Sequence, residues 1–475
     1  MTFLLPRVAA GCVSLLLAFS LGASLASAAS PSSVKPGYSY QRGGWTYVHL
    51  EGTPAQIGFQ HGSLLANKIE DLVHVNQIEA MHDTHRNWKF FRDAARTMLW
   101  PHIEPEYQQE LEGIAKGVQS KGIKLDLWDI VALNGGIELT EYYVPWLDKT
   151  THALNAPKIK PQGRCSAFIA TGSDTKEGKI VIAHNNWSGY AEGERWTVIF
   201  DIQPIHGYRI LMDGEPGVIT SQDDFGINSA GLMITETTIT DFEGWNPDGI
   251  PEFVRSRKAM QYAGSIDDYV ATMRKGDNGG YANDWLIGDR KSGEVAYLEL
   301  GLRNTPLWRT KDGYFVSSNF ARDSKVIKEE TPGFNPNNLS TSPNARRVDW
   351  NKKMAGSKGH IDVALAESFI SAHDDSYTGK ETPDQRTLCG HVDTVKAGIP
   401  EWDWGPYYPG GAVTGKITDS DMAGKMSLVA RAGHPCGDNF YAAPFLAAHP
   451  EYEYLKPVLK DMIAGPWTEF TAGKQ

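Results

Sequence analysis

The chain reads as an α+β protein in which helices pack on stacked antiparallel sheets. Three observations predict this. Helical patterns, with apolar residues three and four apart, come first, at 53–74 and 104–121. A long series of short β-rich runs follows from residue 165, and helical patterns return around 252–275 and 344–355. Helices and strands kept in separate stretches point to segregated layers, not to an alternating βαβ sheet.

The elements follow in order. The first 28 residues have the form of a secretory signal: Arg7, the apolar stretch VAAGCVSLLLAFSLGASL, then Ala26-Ser27-Ala28 as the small-residue cleavage site. No later stretch approaches the ~18 apolar residues of a spanning helix. The expectation is a secreted or lumenal chain with no integral membrane segment once the signal is removed. After the first helices, the run APKIKPQG at 156–163 marks a surface loop. CSAFIATGSDTKEGKIVIAHNNW (165–187) is a hairpin turning near residues 174–176. Further β-rich runs lie at 196–202, 208–213, 216–220 and 230–239, and DWLIGDRKSGEVAYLELG (284–301) is a second hairpin with its turn near Ser292-Gly293. From Asp384 onward, Gly, Pro and aromatic residues dominate and no element is assignable.

Composition narrows the function classes. With 475 residues, 41% hydrophobic and 22% charged, the chain is globular. Its formal net charge of −11, without a Lys/Arg-rich run, argues against nucleic acid and against docking on anionic membranes. No clustered His/Cys/Asp spacing suggests a metal site, and no cofactor is expected. Beyond the signal stand three cysteines, Cys165, Cys389 and Cys436. The last two share the C-terminal quarter in turn-like contexts and are the expected disulfide, which leaves Cys165 as a free thiol.

The first hairpin carries the main functional inference. Its turn places Cys165, opening one strand, across from His184 or Asn185, closing the other. A thiol, an imidazole and amides then converge at one sheet edge, directly after a Pro/Gly-rich loop. A nearby base or cation makes such a thiol a nucleophile. The alternative is a small buried cysteine beside a hydrogen-bonded core histidine.

The segment CSAFIATGSDTKEGKIVIAHNNW resembles the nucleophile segment of the phospholipase B-like proteins. It also resembles that of their relatives, the isopenicillin N acyltransferase-type autoproteolytic hydrolases. GTPAQIGFQHG (52–62) and LEGIAKG (111–117) are similar to the pro-segment of the acyltransferase group. SQDDFGINSAGLMITETT (221–238), YANDW (281–285) and GGAVTGKITDS (410–420) are similar to phospholipase B-like blocks. The resemblance implies a four-layer αββα fold of the N-terminal nucleophile type and self-cleavage between Arg164 and Cys165. It divides the chain into a signal (1–28), a helical pro-segment (29–164) and a catalytic large chain (165–475), with the cleaved fragment as a partner. The new α-amine of Cys165 then serves as the base, because an α-amine titrates near ~8.

Other roles come with the resemblance. Asn283, in the YANDW block, is the implied oxyanion donor, with a contact to Glu299 across its hairpin as the alternative. His184 and Trp187 form the HNxW pattern of the phospholipase B-like branch. His184 is expected to orient the amine or substrate, and Trp187 and Asn185 to line a pocket for an acyl group. Arg346 matches an arginine that approaches the nucleophile; a solvated helix face is the alternative. The implied activity is hydrolysis of amide or ester bonds in N-acyl compounds or (lyso)phospholipids, with acyl transfer as a variant. Two readings of other kinds stay open: a secreted binding protein on a hydrolase scaffold, and a one-chain Cys-His peptidase.

Overall fold

A computed structural model describes residues 1–2, 36–153, 157–161, 164–222 and 225–474. The secretory-signal expectation falls on residues 3–28, outside the described residues. Two strands, β1 (Tyr38–Arg42) and β2 (Trp45–Gly52), precede the helices, which corrects the helices-first order. Their connection is Gly43-Gly44, both with positive φ, the backbone that a two-residue hairpin loop demands. The helices Pro54–Leu64, Ala66–Thr84 and Pro105–Gln119 come next. The first starts on a capping box in which Thr53 and Gln56 satisfy each other's backbone amides.

The two glycine-bearing motifs of this region have a packing explanation. The helices Pro54–Leu64 and Pro105–Gln119 touch backbone to backbone. A Cβ on Gly58 would lie 1.9 Å from the Glu110 carbonyl oxygen, and one on Gly117 would lie 2.4 Å from that of Phe59. Only glycine permits that approach.

The remaining strands are β3 (Cys165–Gly172), β4 (Gly178–Gly189), β5 (Val198–Pro204), β6 (Ile210–Gly214), β7 (Gly226–Asn228), β8 (Leu232–Thr238), β9 (Asn283–Asp289), β10 (Glu294–Leu300), β11 (Leu307–Thr310) and β12 (Gly313–Ser317). A two-stranded ladder of β13 (Asp374–Asp375) and β14 (Lys380–Glu381) follows, then β15 (Gly410–Asp419), β16 (Ser427–Ala432) and β17 (Thr468–Thr471). They form a nine-stranded sheet, β1-β2-β5-β6-β7-β8-β9-β10-β11, and a six-stranded sheet, β12-β3-β4-β15-β16-β17. Pairing is antiparallel except between β2 and β5, which run parallel. Strand β2 therefore lies inside the large sheet, between β1 and β5.

Alternate residues of each sheet enter different apolar clusters. Tyr47, Ile199 and Leu286 of the large sheet meet Ile169, Ile182 and Leu428 of the small one. The opposite face of the large sheet (Leu50, Phe200, Ile234) packs on helical residues such as Ile69, Leu111 and Val131. The opposite face of the small sheet (Phe168, Val181, Ile417) packs on Trp350 and Phe369 from helices Ser342–Gly356 and Val363–Ile370. This is an α+β sandwich, as the order of elements predicts. Among the described residues no helix is long and apolar enough to cross a membrane.

One expected strand is absent. The run 216–220 is irregular because Gly217 takes φ +89 after Pro216, and its apolar residues are buried in a loop. Asn134 clamps that loop, donating to the Gly217 carbonyl and accepting from the Ile219 amide, each at 2.9 Å. His61 accepts the Gly217 amide at 2.8 Å, and burial drives its imidazole down to about 3, so it stays a neutral acceptor.

Candidate active site

Cys165 is the first residue of β3 and is fully buried. Near the hairpin turn the pairing is the expected one, Gly172 opposite Gly178. An irregularity between Ala170 and Gly172 then slips the register by one residue, so Cys165 lies opposite Asn186, not His184 or Asn185. Strand alternation puts Asn186 and His184 on the face of Cys165 and Asn185 on the other. His184 stands two positions along β4, its ring stacked with Phe225 at 6.3 Å between centroids.

Two polar residues grip the backbone of Cys165. Asn319 accepts the Cys165 amide at 3.3 Å, while its own amide nitrogen donates to the Thr238 carbonyl at 2.9 Å. Arg346 donates to the Cys165 carbonyl and to Ser166 Oγ, both at 2.7 Å, and to Asn319 Oδ1 at 3.0 Å. Ser342, one turn earlier in the helix, receives its Nε at 3.0 Å. The solvated-face alternative for Arg346 is thereby excluded: it is fully buried and lies 4.4 Å over the Trp187 ring. Burial draws its guanidinium down to about 9, while Cys165 pulls the other way, so it is a cation at neutral pH. A fixed cation beside a thiol favours the thiolate.

On the other side, the Cys165 thiol donates to Glu236 Oε1 at a separation of 4.0 Å. Tyr281 also donates to Glu236, at 3.3 Å. Burial and then the Glu236 charge hold that phenol well above its ordinary value, so it remains a donor. Asn283 is buried beside them, its amide nitrogen donating to Glu236 Oε2 and to the Ala282 carbonyl, each at 2.9 Å. With its amide turned this way, the nitrogen expected to serve the oxyanion faces Glu236. The alternative contact also shifts, because Asp284, not Asn283, faces Glu299 in the ladder.

The peptide before Cys165 is held as well. The Arg164 carbonyl accepts the Trp187 backbone amide. The buried Arg164 side chain donates to Glu141, and to Glu192 at 3.3 Å. Although burial opposes its charge, Glu141 and Glu192 hold its basicity well above normal. Across from Cys165, the fully buried amide of Asn186 has no hydrogen-bond partner on either polar atom among the described residues. An orphan amide of this kind beside a nucleophile is a candidate ligand for a reacting oxygen.

A cavity of about 330 Å³ opens beside Arg164. Its wall combines Trp402, Trp404, Tyr408, Tyr452 and Tyr454 with the acids Glu79, Asp83, Glu141 and Glu192. Lys158, Ile159 and Lys160, from the segment that leads to Cys165, line it too. Trp187 and Asn185 do not line this cavity. The Trp187 ring is sealed between Arg346 and Trp402, and Asn185 donates to the Ile370 and Leu388 carbonyls at 2.6 and 2.9 Å.

The C-terminal cysteines bring two further corrections. Cys389 and Cys436 come together as expected, yet both are free thiols and no disulfide joins them. They share a site instead: His373, Cys389, His391 and Cys436 direct four ligand-type atoms into one volume, all within 4.8 Å of one another. No sequence spacing shows this grouping, because it draws on three separate segments. Asn319 and Glu236 were likewise missed, since they reach Cys165 from strands and loops remote in sequence.

The molecule is thus an α+β sandwich protein whose buried, strand-initial thiol sits between a buried arginine and a buried carboxylate. The chain belongs to the phospholipase B family, whose model matches residues 51–302, just over half of its length. A protein of Archaeoglobus fulgidus with no functional name is 24% identical over 276 residues, 54% of this chain and 44% of the relative. The human protein provisionally named phospholipase B-like 2 is 31% identical over 159 residues, 30% of this chain and 27% of the relative. Phospholipase B-like protein F of Dictyostelium discoideum is 30% identical over 139 residues, 27% of this chain and 24% of the relative. The matched stretches cover less than half the length of each of these relatives.

Proposed function

We propose that this chain is a secreted N-terminal nucleophile hydrolase of αββα architecture that cuts itself between Arg164 and Cys165. The observation that carries the reading is the treatment of that one peptide. Its carbonyl is bound by the Trp187 amide, the next carbonyl by Arg346, and the nucleophile's nitrogen by Asn319. The three apolar clusters, one between the sheets and one outside each, support the four-layer arrangement.

In the first step the Cys165 thiol passes its proton to Glu236, and the sulfur attacks the Arg164 carbonyl carbon. The Trp187 N–H stabilises the resulting oxyanion. Collapse breaks the C–N bond as the Cys165 nitrogen takes the proton that Glu236 received from the thiol, leaving a thioester on sulfur. Water then releases the Arg164 carboxylate and frees the thiol. The new α-amine lies where Asn319 already accepts its hydrogen, oriented to act as the base toward a substrate. Asn186 offers the unused amide that a substrate oxyanion needs. In the uncut chain Cys165 is fully buried, so the segment before it must be cut before a substrate can reach sulfur.

The substrate in this reading is an acyl amide or ester. The cavity's aromatic wall and its acids suit an apolar chain carrying a cationic headgroup, such as a choline (lyso)phospholipid. Purified protein on a denaturing gel should give two bands of roughly 15 and 34 kDa, at ~110 Da per residue, and the larger should begin Cys-Ser-Ala-Phe. Intact chain alone in an active preparation, or cleavage by Cys165→Ala, would refute the mechanism. Such an intact but thiol-dependent enzyme would instead be the Cys-His peptidase, and an intact inert one the binding protein.

A further inference from the structure

The four-residue grouping near the C-terminus does not belong to the thiol site. His373 follows helix Val363–Ile370, Cys389 and His391 flank Gly390, and Cys436 lies in the turn that Gly437 closes onto the His434 carbonyl at 2.9 Å. Hydrogen bonds to backbone carbonyls bring these segments together. The Cys389 amide donates to the Ala372 carbonyl at 3.1 Å, and Ser371 Oγ donates to the Pro435 carbonyl at 2.9 Å.

The distances inside the group do not describe hydrogen bonding. His391 Nε2 stands 3.3 Å from His373 Nε2, 3.5 Å from Cys436 Sγ and 3.7 Å from Cys389 Sγ. One imidazole nitrogen carries a single hydrogen or a single lone pair, and it cannot satisfy three partners in three directions. A metal at the centre can. Tetrahedral zinc, with bonds of ~2.3 Å to sulfur and ~2.05 Å to nitrogen, separates two nitrogens by about 3.3 Å and a nitrogen from a sulfur by about 3.6 Å. The three separations from His391 Nε2 agree with both.

We propose that His373, Cys389, His391 and Cys436 form a zinc site with four protein ligands. Two thiolates and two imidazoles in tetrahedral reach are the donor set that selects zinc. Four protein ligands leave no open position, so the ion is structural. Its surroundings fit that role. The ring of His434 stacks on His391 at 4.1 Å between centroids and fixes its plane, and the Asp438 amide donates to Cys436 Sγ at 3.5 Å.

The site also braces the wall behind Cys165. The Leu388 carbonyl, adjacent to Cys389, receives Asn185 at 2.9 Å and the Trp187 indole at 3.3 Å. Gly390, between two ligands, lies against the Trp187 ring so closely that a Cβ would stand 1.9 Å from it. Zinc would therefore fix the segment on which Trp187, and through it Arg346, rests.

The test is metal content of the full-length protein purified without chelator from zinc-supplemented medium. Close to one zinc per chain is expected by mass spectrometry of the elements. After chelation and dialysis, added Co²⁺ should give the intense near-ultraviolet sulfur-to-cobalt absorption of thiolate ligation. Losing a direct ligand should cost more than the ~10–100-fold seen for an outer-shell partner, so zinc should bind Cys436→Ser at least about 100-fold more weakly. The half-buried His373→Asn is a second variant in case Cys436→Ser fails to fold, and the wild-type measurements stand without either. Non-reducing peptide mapping that joins Cys389 to Cys436, or wild type that holds no zinc after dialysis against added zinc, would overturn the proposal.

Discussion

Replacing Arg346 with lysine keeps a positive charge behind Cys165 but removes the planar fork that holds the site. The guanidinium makes four hydrogen bonds, to the Cys165 carbonyl, Ser166, Asn319 and Ser342. An ammonium on a flexible stem cannot reproduce that geometry and should lose two or more of them. Hydrogen bonds to charged groups contribute about 1.5–3 kcal/mol each, so the total loss is of order 3–6 kcal/mol, divided between fold and reaction. If about half is felt at the cleavage step, self-cleavage slows roughly 10–10²-fold, since 1.4 kcal/mol is about tenfold in rate. The assay is a time course of the two fragments on a denaturing gel, started from freshly synthesised chain, with a thermal melt of the same sample. A folded Arg346→Lys protein that cleaves at the wild-type rate would refute the argument, whatever its melting temperature. The arginine would then be a strut for the Trp187 wall and no part of the reaction.

Asn186→Ala, measured on fully cleaved protein, should lower kcat by roughly 10²–10³-fold with little change in KM, the range for one lost oxyanion donor; unchanged kcat would return that role to backbone amides. Gly58→Ala drives a Cβ to 1.9 Å from the Glu110 carbonyl oxygen and should destabilise by about 3 kcal/mol or more, the upper range for overpacking. A thermal melt within a degree of wild type would show that the two helices can part without cost. Stability should rise on mild acidification. Burial pushes Glu138 and Glu299 up to about 7, and Asp349 and Asp384 up to about 6. Each is raised above its unfolded value near ~4, so the folded state binds the extra proton. That stability is complete below about pH 4 and is lost as pH rises through 6–7. His61, which burial holds down to about 3 against an unfolded value near ~6.5, opposes the trend as pH falls below ~6.5 but is one group against four. Asp201, held down to about 2 with its His49 and Arg209 partners, opposes it in stronger acid. A melting temperature lower at about pH 5 than at about pH 8 would contradict this assignment.

Cys165 was legible because it opens a hairpin edge after a Pro/Gly loop, whereas Arg346 came only with the family resemblance. The sandwich was legible from element order. What escaped depends on contacts that no spacing encodes. A single irregularity at Ala170 moved the partner of Cys165 by one residue, which turned Asn185 outward and Asn186 inward. Asn283 was read for its amide alone, and only the position of Glu236 shows where that amide is bound. The run 216–220 has strand-like apolarity because it is buried under Asn134 and His61, not because it joins a ladder. In the C-terminal quarter, His373, Cys389, His391 and Cys436 are too far apart in the chain for a metal motif to be visible.

Strand β2 has a consequence for what the proposed cleavage produces. Seven of its residues, Thr46 to Gly52, pair in register with Val198 to Pro204, on the far side of the proposed cut. Its neighbours on either edge, β1 and β5, would then belong to different polypeptides. Breaking the Arg164–Cys165 bond would yield an obligate heterodimer with a shared sheet, not a free propeptide and an enzyme. Its halves should co-purify under native conditions and part only when both unfold. Two genes, one ending at residue 164 and one beginning at Cys165, would have to be translated in the same compartment to give a folded product.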